Sequence, residues 1–386
     1  MASVYSINNA KILTLNNPCS YISNLALHNF RNHKALSLNC DTKFVLILGE
    51  NATGKTNILE AVSMLSAGRG FRNPKNIDVV TDFNKDLVEW AVRINYSHVE
   101  ASHKILLGCQ FSNAFPNGKK VMKINEQELK RKSDILDVLR VIWLTPKMES
   151  LFLEPTNIQR KFLDRMTFNF FPEHAKQVTE YEYFLRSRSK ILSLSSIEWN
   201  QNWLKQIESK IADLSIQIIN NRMSCIKMIN SFLNGFNTSY LKPLICLQGE
   251  IEDMLKAEQV SAVKELVANT LIKNRVHDAK FKRCSIGAHK SEVIVINREK
   301  NRVANLCSTG EQKSMIIALL IGQAYAIYNH SKISPILLLD EIFAHLDNSR
   351  KEKLILELRQ TPSQIWISST DANLSEIVGN CTKLTL

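Results

Sequence analysis

The segment that most directly predicts chemistry is a short run in which two glycines enclose a loop that ends in lysine and threonine. Its residues are Gly49, Glu50, Asn51, Ala52, Thr53, Gly54, Lys55 and Thr56. This spacing is typical of a phosphate-binding loop, in which backbone N–H groups face a triphosphate at the positive end of the following helix. There, Lys55 neutralises charge on the β- and γ-phosphates, and the Thr56 hydroxyl is a ligand of Mg²⁺. The run therefore predicts a site for a triphosphate and Mg²⁺, with an accidental glycine turn as the alternative.

An acidic pair further along the chain has the side chains that such a loop needs. Asp340 and Glu341 directly follow the apolar residues 336–339, the pattern of a buried strand. At the carboxyl end of that strand, Asp340 is placed to hold Mg²⁺ together with Thr56. Glu341 is the predicted catalytic residue, a general base that polarises an attacking water. Many strands end in acidic residues, so the pair is informative because it accompanies the loop at 49–56.

A third segment, residues 308–313, precedes a strongly apolar helix. Its sequence is Ser308, Thr309, Gly310, Glu311, Gln312 and Lys313. Small residues at a helix start expose backbone N–H groups to an anion. A plain helix cap by Ser308 or Thr309 is the alternative, and it is the better interpretation of the segment taken alone.

The composition is that of a folded, basic chain. Over 386 residues, 49 Lys and Arg stand against 37 Asp and Glu for a net charge of +12, with 45% hydrophobic residues. These values exclude a disordered or fibrous chain and favour a polyanionic partner, either nucleic acid or an anionic membrane surface. The eight cysteines form no Cys-x-x-Cys pair, which argues against a zinc ribbon and fits a reducing cytosol. The longest apolar run, 315–321, is too short to span a membrane, so we expect a cytoplasmic protein.

The apolar patterns predict an α/β fold interrupted by a helical insertion. In the first part, a strand over 44–48 leads to a helix after Gly54, and an antiparallel meander covers 86–125 with a hairpin turn at Asn117-Gly118. The insertion contains one long helix over 198–233, whose buried stripe begins with Trp199 and Trp203, and further helices over 173–192 and 251–273. The α/β pattern then resumes, with strands over 293–297, 336–339 and 365–368 and helices over 310–329 and 349–359.

These patterns divide the chain into four predicted regions. Residues 1–20 are an N-terminal extension, and 21–154 hold the phosphate-binding loop and the meander. Residues 155–275 are the inserted helical subdomain, and 276–386 complete the α/β domain.

Two basic clusters are candidate surfaces for DNA. The first spans 273–290 and has a net charge of +5 from six cations and Asp278, and the second surrounds the predicted hairpin between Lys119 and Lys132. Because no helix-turn-helix or zinc-finger pattern accompanies them, we expect salt-dependent binding to the DNA backbone with little sequence preference. A solvated surface is the alternative for each cluster. The candidate contacts are Lys280, Lys282, Arg283, Lys290, Lys119 and Lys120.

Several further motifs occur in an order that is similar to one protein family. They are Leu27-His28-Asn29-Phe30-Arg31-Asn32, Gly68-Arg69-Gly70-Phe71-Arg72, Arg160-Lys161-Phe162-Leu163-Asp164 and Ala344-His345-Leu346-Asp347. Together with the loop at 49–56, residues 308–313 and the acidic pair, they resemble the bacterial RecF family of ABC-type ATPases. The resemblance runs from about residue 21 to residue 386. The loop at 287–292 differs from the family's usual Gly-Pro-His-Arg-Asp-Asp, so no role is assigned to it.

The resemblance implies a fold and a mechanism. The fold is α/β, an ABC-type P-loop ATPase head with an antiparallel β subdomain and an inserted helical arm. Two subunits would sandwich two ATP molecules, with Ser308, Gly310, Glu311 and Asp347 completing the opposite nucleotide site. Slow, DNA-stimulated hydrolysis would then separate the dimer.

The resemblance also implies a biological role. It indicates recombinational repair, replication and the SOS response to DNA damage, in which the protein binds single-stranded or gapped duplex DNA and assists recombinase loading. RecO and RecR are the implied partners. The alternatives are a P-loop small-molecule kinase, opposed by residues 308–313 and the insertion, and a transporter-type ATPase subunit, opposed by the lack of a histidine after the last core strand.

Overall fold

The computed structural model describes residues 20–81, 88–98, 101–235, 241–344 and 346–386, so the predicted extension lies outside it except for Ser20. The strands are β1 (Ser20–Phe30), β2 (His33–Asn39), β3 (Phe44–Leu48), β4 (Val88–His98), β5 (Ala101–Ser112), β6 (Phe115–Ile124), β7 (Gln127–Glu128), β8 (Val141–Leu144), β9 (Pro243–Gln248), β10 (Glu292–Asn297), β11 (Arg302–Val303), β12 (Ile336–Asp340), β13 (Ile365–Ser369) and β14 (Thr382–Thr385). The α-helices are α1 (Lys55–Met64), α2 (Thr156–Phe168), α3 (His174–Leu192), α4 (Gln201–Gly235), α5 (Glu250–Ala257), α6 (Val260–Lys273), α7 (Arg275–Phe281), α8 (Thr309–Ser331), α9 (Asn348–Gln360) and α10 (Leu374–Val378). This mixture confirms the predicted α/β class.

A parallel sheet with strand order β14-β3-β13-β12-β8 forms the centre of the molecule. Every residue of β3, β8, β12 and β13 is buried, because both faces of the sheet are covered. This explains why these strands appear in the sequence as continuous apolar runs. The parallel register pairs Asp340 with Ser368 and Ser369 with Leu48, so the carboxyl ends of β3, β12 and β13 lie side by side.

A second, antiparallel sheet has the order β2-β1-β4-β5-β6-β7 and packs its apolar face over α1. It contains the predicted meander, and residues of β4 alternate between buried and more exposed as expected. The predicted hairpin turn is wrong, because Ser112 pairs with Phe115 and the turn is therefore at residues 113–114. Gly118 instead lies within β6 at φ +77°, where a Cβ atom would approach Cys109 Sγ to 2.6 Å. The glycine is needed for close packing inside a strand and does not make a turn.

The predicted long helix is present as α4, whose 35 residues correspond to a length of about 50 Å. Its buried stripe begins at Leu204, and the side chain of Trp203 is half-exposed. The expectation that Trp199 and Trp203 start the stripe is therefore wrong, because Trp199 also precedes the helix. Leu204, the next residue along the helix, is the one that is buried against the core.

The inserted region is not entirely helical. Strand β9 lies inside it and pairs antiparallel with β10, which follows the predicted boundary at 275. The predicted helix over 251–273 is two helices, because the chain is extended at Glu258 and Gln259 between α5 and α6. Apolar residues of α4 and α8 belong to one core, so the insertion packs directly on the α/β domain. The domain boundaries themselves stay predictions.

A buried network of charges joins three helices of this region. Glu208 of α4 is fully buried and accepts hydrogen bonds from Arg188 Nε at 3.0 Å and Arg275 Nη2 at 2.6 Å. Arg188 also donates to Asp278 Oδ2 at 2.6 Å. Arg275, which the sequence places in the first basic cluster, is consequently buried in an ion pair and does not belong to the exposed surface.

Candidate functional site

The loop at residues 49–56 connects β3 to α1 at the carboxyl edge of the parallel sheet. Gly54 has φ +106°, a backbone conformation that residues with a Cβ atom rarely adopt. A Cβ there would lie 2.3 Å from the Asn32 side-chain amide, which itself donates to the Thr53 carbonyl at 2.9 Å. Asn32 therefore braces the loop, a role that the sequence did not assign. The only signal for it was its place in the motif at 27–32.

Lys55 is the first residue of α1 and is almost completely buried. Its ammonium donates to the carbonyl oxygens of Gly49 at 2.9 Å and Glu50 at 2.8 Å. The same nitrogen lies 3.3 Å from Glu341 Oε1. The tertiary structure thus brings the predicted phosphate-binding lysine and the predicted catalytic glutamate together, although 286 positions separate them in the chain.

Asp340 accepts two short hydrogen bonds at the end of β12. Thr56 Oγ1 donates to Asp340 Oδ1 at 2.9 Å, and Ser368 Oγ donates to the same oxygen at 2.7 Å. The backbone N–H of Glu341 donates to the Ser368 carbonyl at 3.2 Å. Ser368 therefore orients both acidic residues. It was missing from the predicted site because one serine at the end of a strand carries no distinctive spacing.

Glu341 has a left-handed backbone conformation, with φ +51°. Such a conformation is uncommon for a residue other than glycine and turns the chain sharply after β12. The Glu341 side chain is one-quarter exposed, whereas neighbouring Asp340 is buried. One carboxylate is thereby held inside the sheet edge, while the next is partly exposed beside the Lys55 ammonium.

This arrangement satisfies the chemical requirements of a nucleotide with Mg²⁺. Thr56 and Asp340 provide adjacent oxygen ligands, Lys55 provides a cation, and the loop precedes a helix N-terminus. No group of three or more His, Cys, Asp or Glu side chains converges within the described ranges. A metal at this edge would hence complete its coordination with phosphate and water oxygens, as Mg²⁺ in phosphoryl-transfer sites does.

Residues 308–311 form a capping box at the start of α8. The Ser308 hydroxyl accepts from Glu311 N at 3.4 Å, and Glu311 Oε2 accepts from Ser308 N at 2.9 Å. The Lys300 ammonium, 2.5 Å from Glu311 Oε1, lowers the pKa of that carboxyl to about 2. The cap interpretation is therefore confirmed as the local structure. Ser308 and Gly310 remain exposed, and within the described residues no hydrogen bond or ion pair joins 308–311 to the loop at 49–56.

Asp347 is the N-cap of α9. Its Oδ1 accepts from Arg350 N at 2.9 Å, and its side chain is exposed. The preceding segment contacts α8, because the Lys313 ammonium donates to the Ala344 carbonyl at 3.1 Å. His345 of the same motif lies outside the described residues. The structure thus connects the segment before Asp347 to α8, the helix whose N-cap is Ser308.

Comparison with known sequences identifies the family. Residues 21–386 match the family profile described as the RecF/RecN/SMC N terminal domain. The chain is 35% identical over 369 residues to the DNA replication and repair protein RecF of Rickettsia akari, covering 95% of this chain and 98% of that protein. It is 34% identical over 367 residues to the RecF of Rickettsia bellii strain OSU 85-389, with 94% and 98% coverage. The chain belongs to the RecF family.

Solved structures show the same fold. A structure described as the recombination mediator protein RecF-ATPrS in the RecFOR pathway superimposes with a TM-score of 0.83 at 24% identity, covering 96% of this chain and 97% of that one. The SmcHead bound to the C-winged helix domain of ScpA superimposes with a TM-score of 0.51 at 15% identity, covering 92% of each chain. The fold is therefore the predicted ABC-type ATPase head with an antiparallel sheet and a helical arm. In the part of this RecF-family chain that the structure describes, no helix combines the length and apolar character needed to cross a bilayer.

The first basic cluster of this RecF-family chain is an exposed surface. Lys280, Lys282, Arg283 and Lys290 are all exposed, and within the described ranges none of them forms an ion pair. A cluster of unpaired cations is suited to phosphate contacts.

The second basic cluster is largely occupied by contacts within the protein. Lys119 is exposed over the Phe115 ring, but Lys120 lies 5.4 Å from the Trp90 ring and is partly buried, which lowers its pKa. Arg131 pairs with Asp134 and Glu173, and the Lys132 ammonium donates to the Gly68 carbonyl. This cluster thus offers fewer free cations than its sequence indicates.

Replacing Lys132 with methionine is expected to stabilise the protein below neutral pH. Burial, with repulsion from Lys120 and Arg69, lowers the Lys132 pKa to about 7. The unfolded chain has the ordinary, higher lysine pKa, so the native state carries the full cost of the buried charge below pH 7 and progressively less above it. Urea denaturation at pH 6.5 and pH 9 should show a larger gain for Lys132→Met at the lower pH. Lys130→Met, at an exposed position, is the control, and an equal gain at both pH values would contradict the prediction.

Proposed function

We propose that this RecF-family chain is an ATP-switched DNA-binding protein of replication and recombinational repair. In the proposal, two subunits enclose two ATP molecules, and each ATP is held by the loop at 49–56 of one subunit and by Ser308, Gly310, Glu311 and Asp347 of the other. ATP binding favours the DNA-bound dimer, and hydrolysis returns the subunits to monomers. The name RecF given to its relatives supports the repair role.

The observation that carries the proposal is the division of the site between two surfaces. Lys55, Thr56, Asp340 and Glu341 lie together at the sheet edge, whereas Ser308 and Gly310 are exposed at the start of α8 and bond only locally. A helix N-terminus that faces solvent is ready to bind an anion held by another molecule. A second copy of the chain would bring such a phosphate to Ser308.

Each residue at the sheet edge has a distinct proposed task. Lys55 and the N–H groups of the loop bind the β- and γ-phosphates, and Thr56 and Asp340 hold Mg²⁺. When bound, Mg²⁺ neutralises phosphate charge. Glu341 accepts a proton from the attacking water, and the ammonium of Lys55, 3.3 Å away, orients that carboxylate. Ser368 positions both acidic residues through its three hydrogen bonds to them.

The DNA side of the proposal rests on the exposed cations of the first basic cluster. Backbone contacts of this kind give binding to single-stranded or gapped duplex DNA with little sequence preference and a steep salt dependence. We expect a weak ATPase activity, because a switch requires slow turnover, and we expect DNA to stimulate it. Assistance to recombinase loading in the cytoplasm, with RecO and RecR as partners, is the corresponding biological role.

Replacing Glu341 with glutamine is expected to trap the ATP-bound dimer. Loss of the general base should lower the rate of hydrolysis about 10²- to 10⁴-fold, while the loop at 49–56 still binds ATP. The molar mass in solution, measured by light scattering with ATP and Mg²⁺, should show a stable dimer for Glu341→Gln and a transient one for the wild type. Gapped duplex DNA added in a parallel series should increase the dimer fraction.

Ser308→Arg is the matched test of the shared site. An arginine at this exposed position should block dimerisation and leave ATP binding by the monomer unchanged. The specific ATPase activity of the wild type should also rise with protein concentration, since each site needs two chains. If Glu341→Gln remains monomeric at saturating ATP, the proposed switch is wrong.

A further inference from the structure

Helix α7 exposes an aromatic ring between two cations. The Phe281 side chain is 51% exposed at the end of this helix. The Lys280 ammonium lies 5.7 Å from the centre of the Phe281 ring, and the Arg283 guanidinium lies 5.6 Å from it. His277, one turn earlier, lies with its ring centre 4.7 Å from that of Phe281. A single exposed ring is ordinary on a protein surface. What distinguishes Phe281 is that two cations, Lys280 and Arg283, lie against the same ring.

An open groove of about 600 Å³ adjoins this ring between α3 and the segment after α7. Its lining includes three exposed cations, Lys282, Arg283 and Lys290, together with Arg186 of α3. Arg283 belongs both to the groove and to the surroundings of Phe281, so the two features are continuous. The chain therefore places an aromatic surface beside a path of positive charge.

The acidic groups of this surface do not cancel its charge. Asp278 lines the groove, but it is buried and bound by Arg188 at 2.6 Å. Glu182 is 3.6 Å from Arg186 in an exposed pair that is weakened by solvent. Lys282, Arg283 and Lys290 remain without a carboxylate partner among the described residues. An anionic ligand would supply the missing counter-charge.

The surface is also held rigidly. Arg188 of α3 donates to Asp278 of α7, to Glu208 of α4 and to the Leu271 carbonyl of α6. These bonds are buried, so α7 is fixed relative to the long helix of the arm. His289, which also lines the groove, donates from Nε2 to the Cys284 carbonyl at 3.0 Å, and its Nδ1 forms a hydrogen bond of 2.7 Å with Tyr181 Oη. A binding surface built on fixed elements orders fewer groups when its ligand arrives.

We propose that this surface binds single-stranded DNA, with an unpaired base stacked on Phe281 and the adjoining phosphates on Lys282, Arg283 and Lys290. The inference rests on the proposed function and specifies which DNA the first basic cluster binds. Stacking on an exposed aromatic ring requires a base that is not already stacked in a duplex, and it tolerates any base. The cationic groove follows the backbone and adds affinity without reading sequence. Duplex DNA satisfies only the second of these interactions.

The test compares Phe281→Ala with Phe115→Ala in the full chain. Phe115 is a matched control, because it is 47% exposed and has a lysine, Lys119, 5.4 Å from its ring in the second basic cluster. Binding is measured by fluorescence anisotropy with an oligothymidylate and with a blunt duplex of mixed sequence, in the presence of ATP and Mg²⁺. Phe281→Ala should weaken oligothymidylate binding about 5- to 100-fold and leave duplex binding within about twofold. Phe115→Ala should change neither.

Two further variants separate stacking from charge and from loss of structure. Phe281→Trp should retain oligothymidylate affinity, and its additional fluorescence relative to wild type should be quenched on binding if the ring stacks on a base. The double variant Lys282→Gln and Arg283→Gln should make the slope of log affinity against log salt concentration shallower for both DNAs. The expected change corresponds to about two fewer released counterions. The thermal unfolding midpoint of Phe281→Ala should match that of the wild type, since the side chain is half-exposed.

The outcomes also separate this inference from the broader proposal. If the wild type binds oligothymidylate and Phe281→Ala binds it equally well, or weakens duplex binding to the same extent, the stacking site is wrong and the proposed function stands. If the wild type binds neither DNA at any salt concentration, both are wrong. A selective loss in Phe281→Ala with quenching in Phe281→Trp would establish the site.

Discussion

Replacing Lys55 with methionine is expected to lower the affinity for ATP about a hundredfold. The buried Lys55 ammonium is held at the loop by the carbonyls of Gly49 and Glu50, beside Glu341. Charge-assisted hydrogen bonds to phosphate in such a water-poor setting contribute about 1.5–3 kcal/mol, and tenfold in affinity corresponds to about 1.4 kcal/mol. Methionine has a similar length without the charge, so the packing of α1 should persist. Isothermal titration with ATP and Mg²⁺ measures the change directly.

A surface lysine provides the control for this prediction. Lys34→Met removes one positive charge from an exposed position on β2 and should leave ATP affinity within about twofold, because surface charges are screened by solvent. Lys55→Met should also fail to dimerise with ATP. An affinity for Lys55→Met within threefold of the wild type would show that the loop at 49–56 does not bind the phosphates.

Replacing Glu208 with glutamine is expected to lower the free energy of unfolding by about 3–5 kcal/mol, the usual cost of breaking a buried ion pair. The Glu208 carboxylate is fully buried and compensates both Arg188 and Arg275. Glutamine has nearly the same shape, so the loss comes from leaving guanidinium charge uncompensated in a place that water does not reach. Urea denaturation followed by circular dichroism measures the effect.

An exposed ion pair on the same helix is the matched comparison. Asp213 pairs with Lys264 at 2.9 Å, and both side chains are well exposed. Asp213→Asn should cost at most about 1 kcal/mol, because solvent weakens an exposed pair. Equal effects of Asp213→Asn and Glu208→Gln would mean that Arg188 and Arg275 find other partners, and the network would not be the anchor of the arm.

The two predictions have a common physical basis. Lys55 and Glu208 are charged groups removed from water, and each is tolerated only because fixed partners surround it. At Lys55 the partners are two carbonyl oxygens of the loop at 49–56 and an acidic side chain, which the phosphates of a bound nucleotide would replace. At Glu208 the partners are two arginines of the arm, which nothing else replaces. We therefore expect a functional effect at the first position and a structural effect at the second.

Local sequence signals predicted much of the fold because they depend on short-range chemistry. The continuous apolar runs of β3, β12 and β13 indicate strands buried on both faces, and such strands are recognisable without knowing their neighbours. The turn at Asn117-Gly118 was wrong because a glycine that packs closely against Cys109 looks the same in sequence as one that makes a turn. Strand β9 was missed because its pairing with β10 involves residues about 50 positions away.

The sequence by itself determined the chemical groups at 49–56, 308–313 and 340–341, since their types and spacing follow from local loop, cap and strand geometry. Only the tertiary structure decided which of these groups meet. The parallel register of β3, β13 and β12 brings Lys55, Asp340 and Ser368 to one edge, and leaves Ser308 exposed elsewhere. It also decided which cations are free, because burial in partnered networks removed Arg275 and Lys132 from the basic clusters and left Lys282 and Arg283 exposed. Contacts between distant segments depend on packing of the whole chain, and no local pattern encodes them.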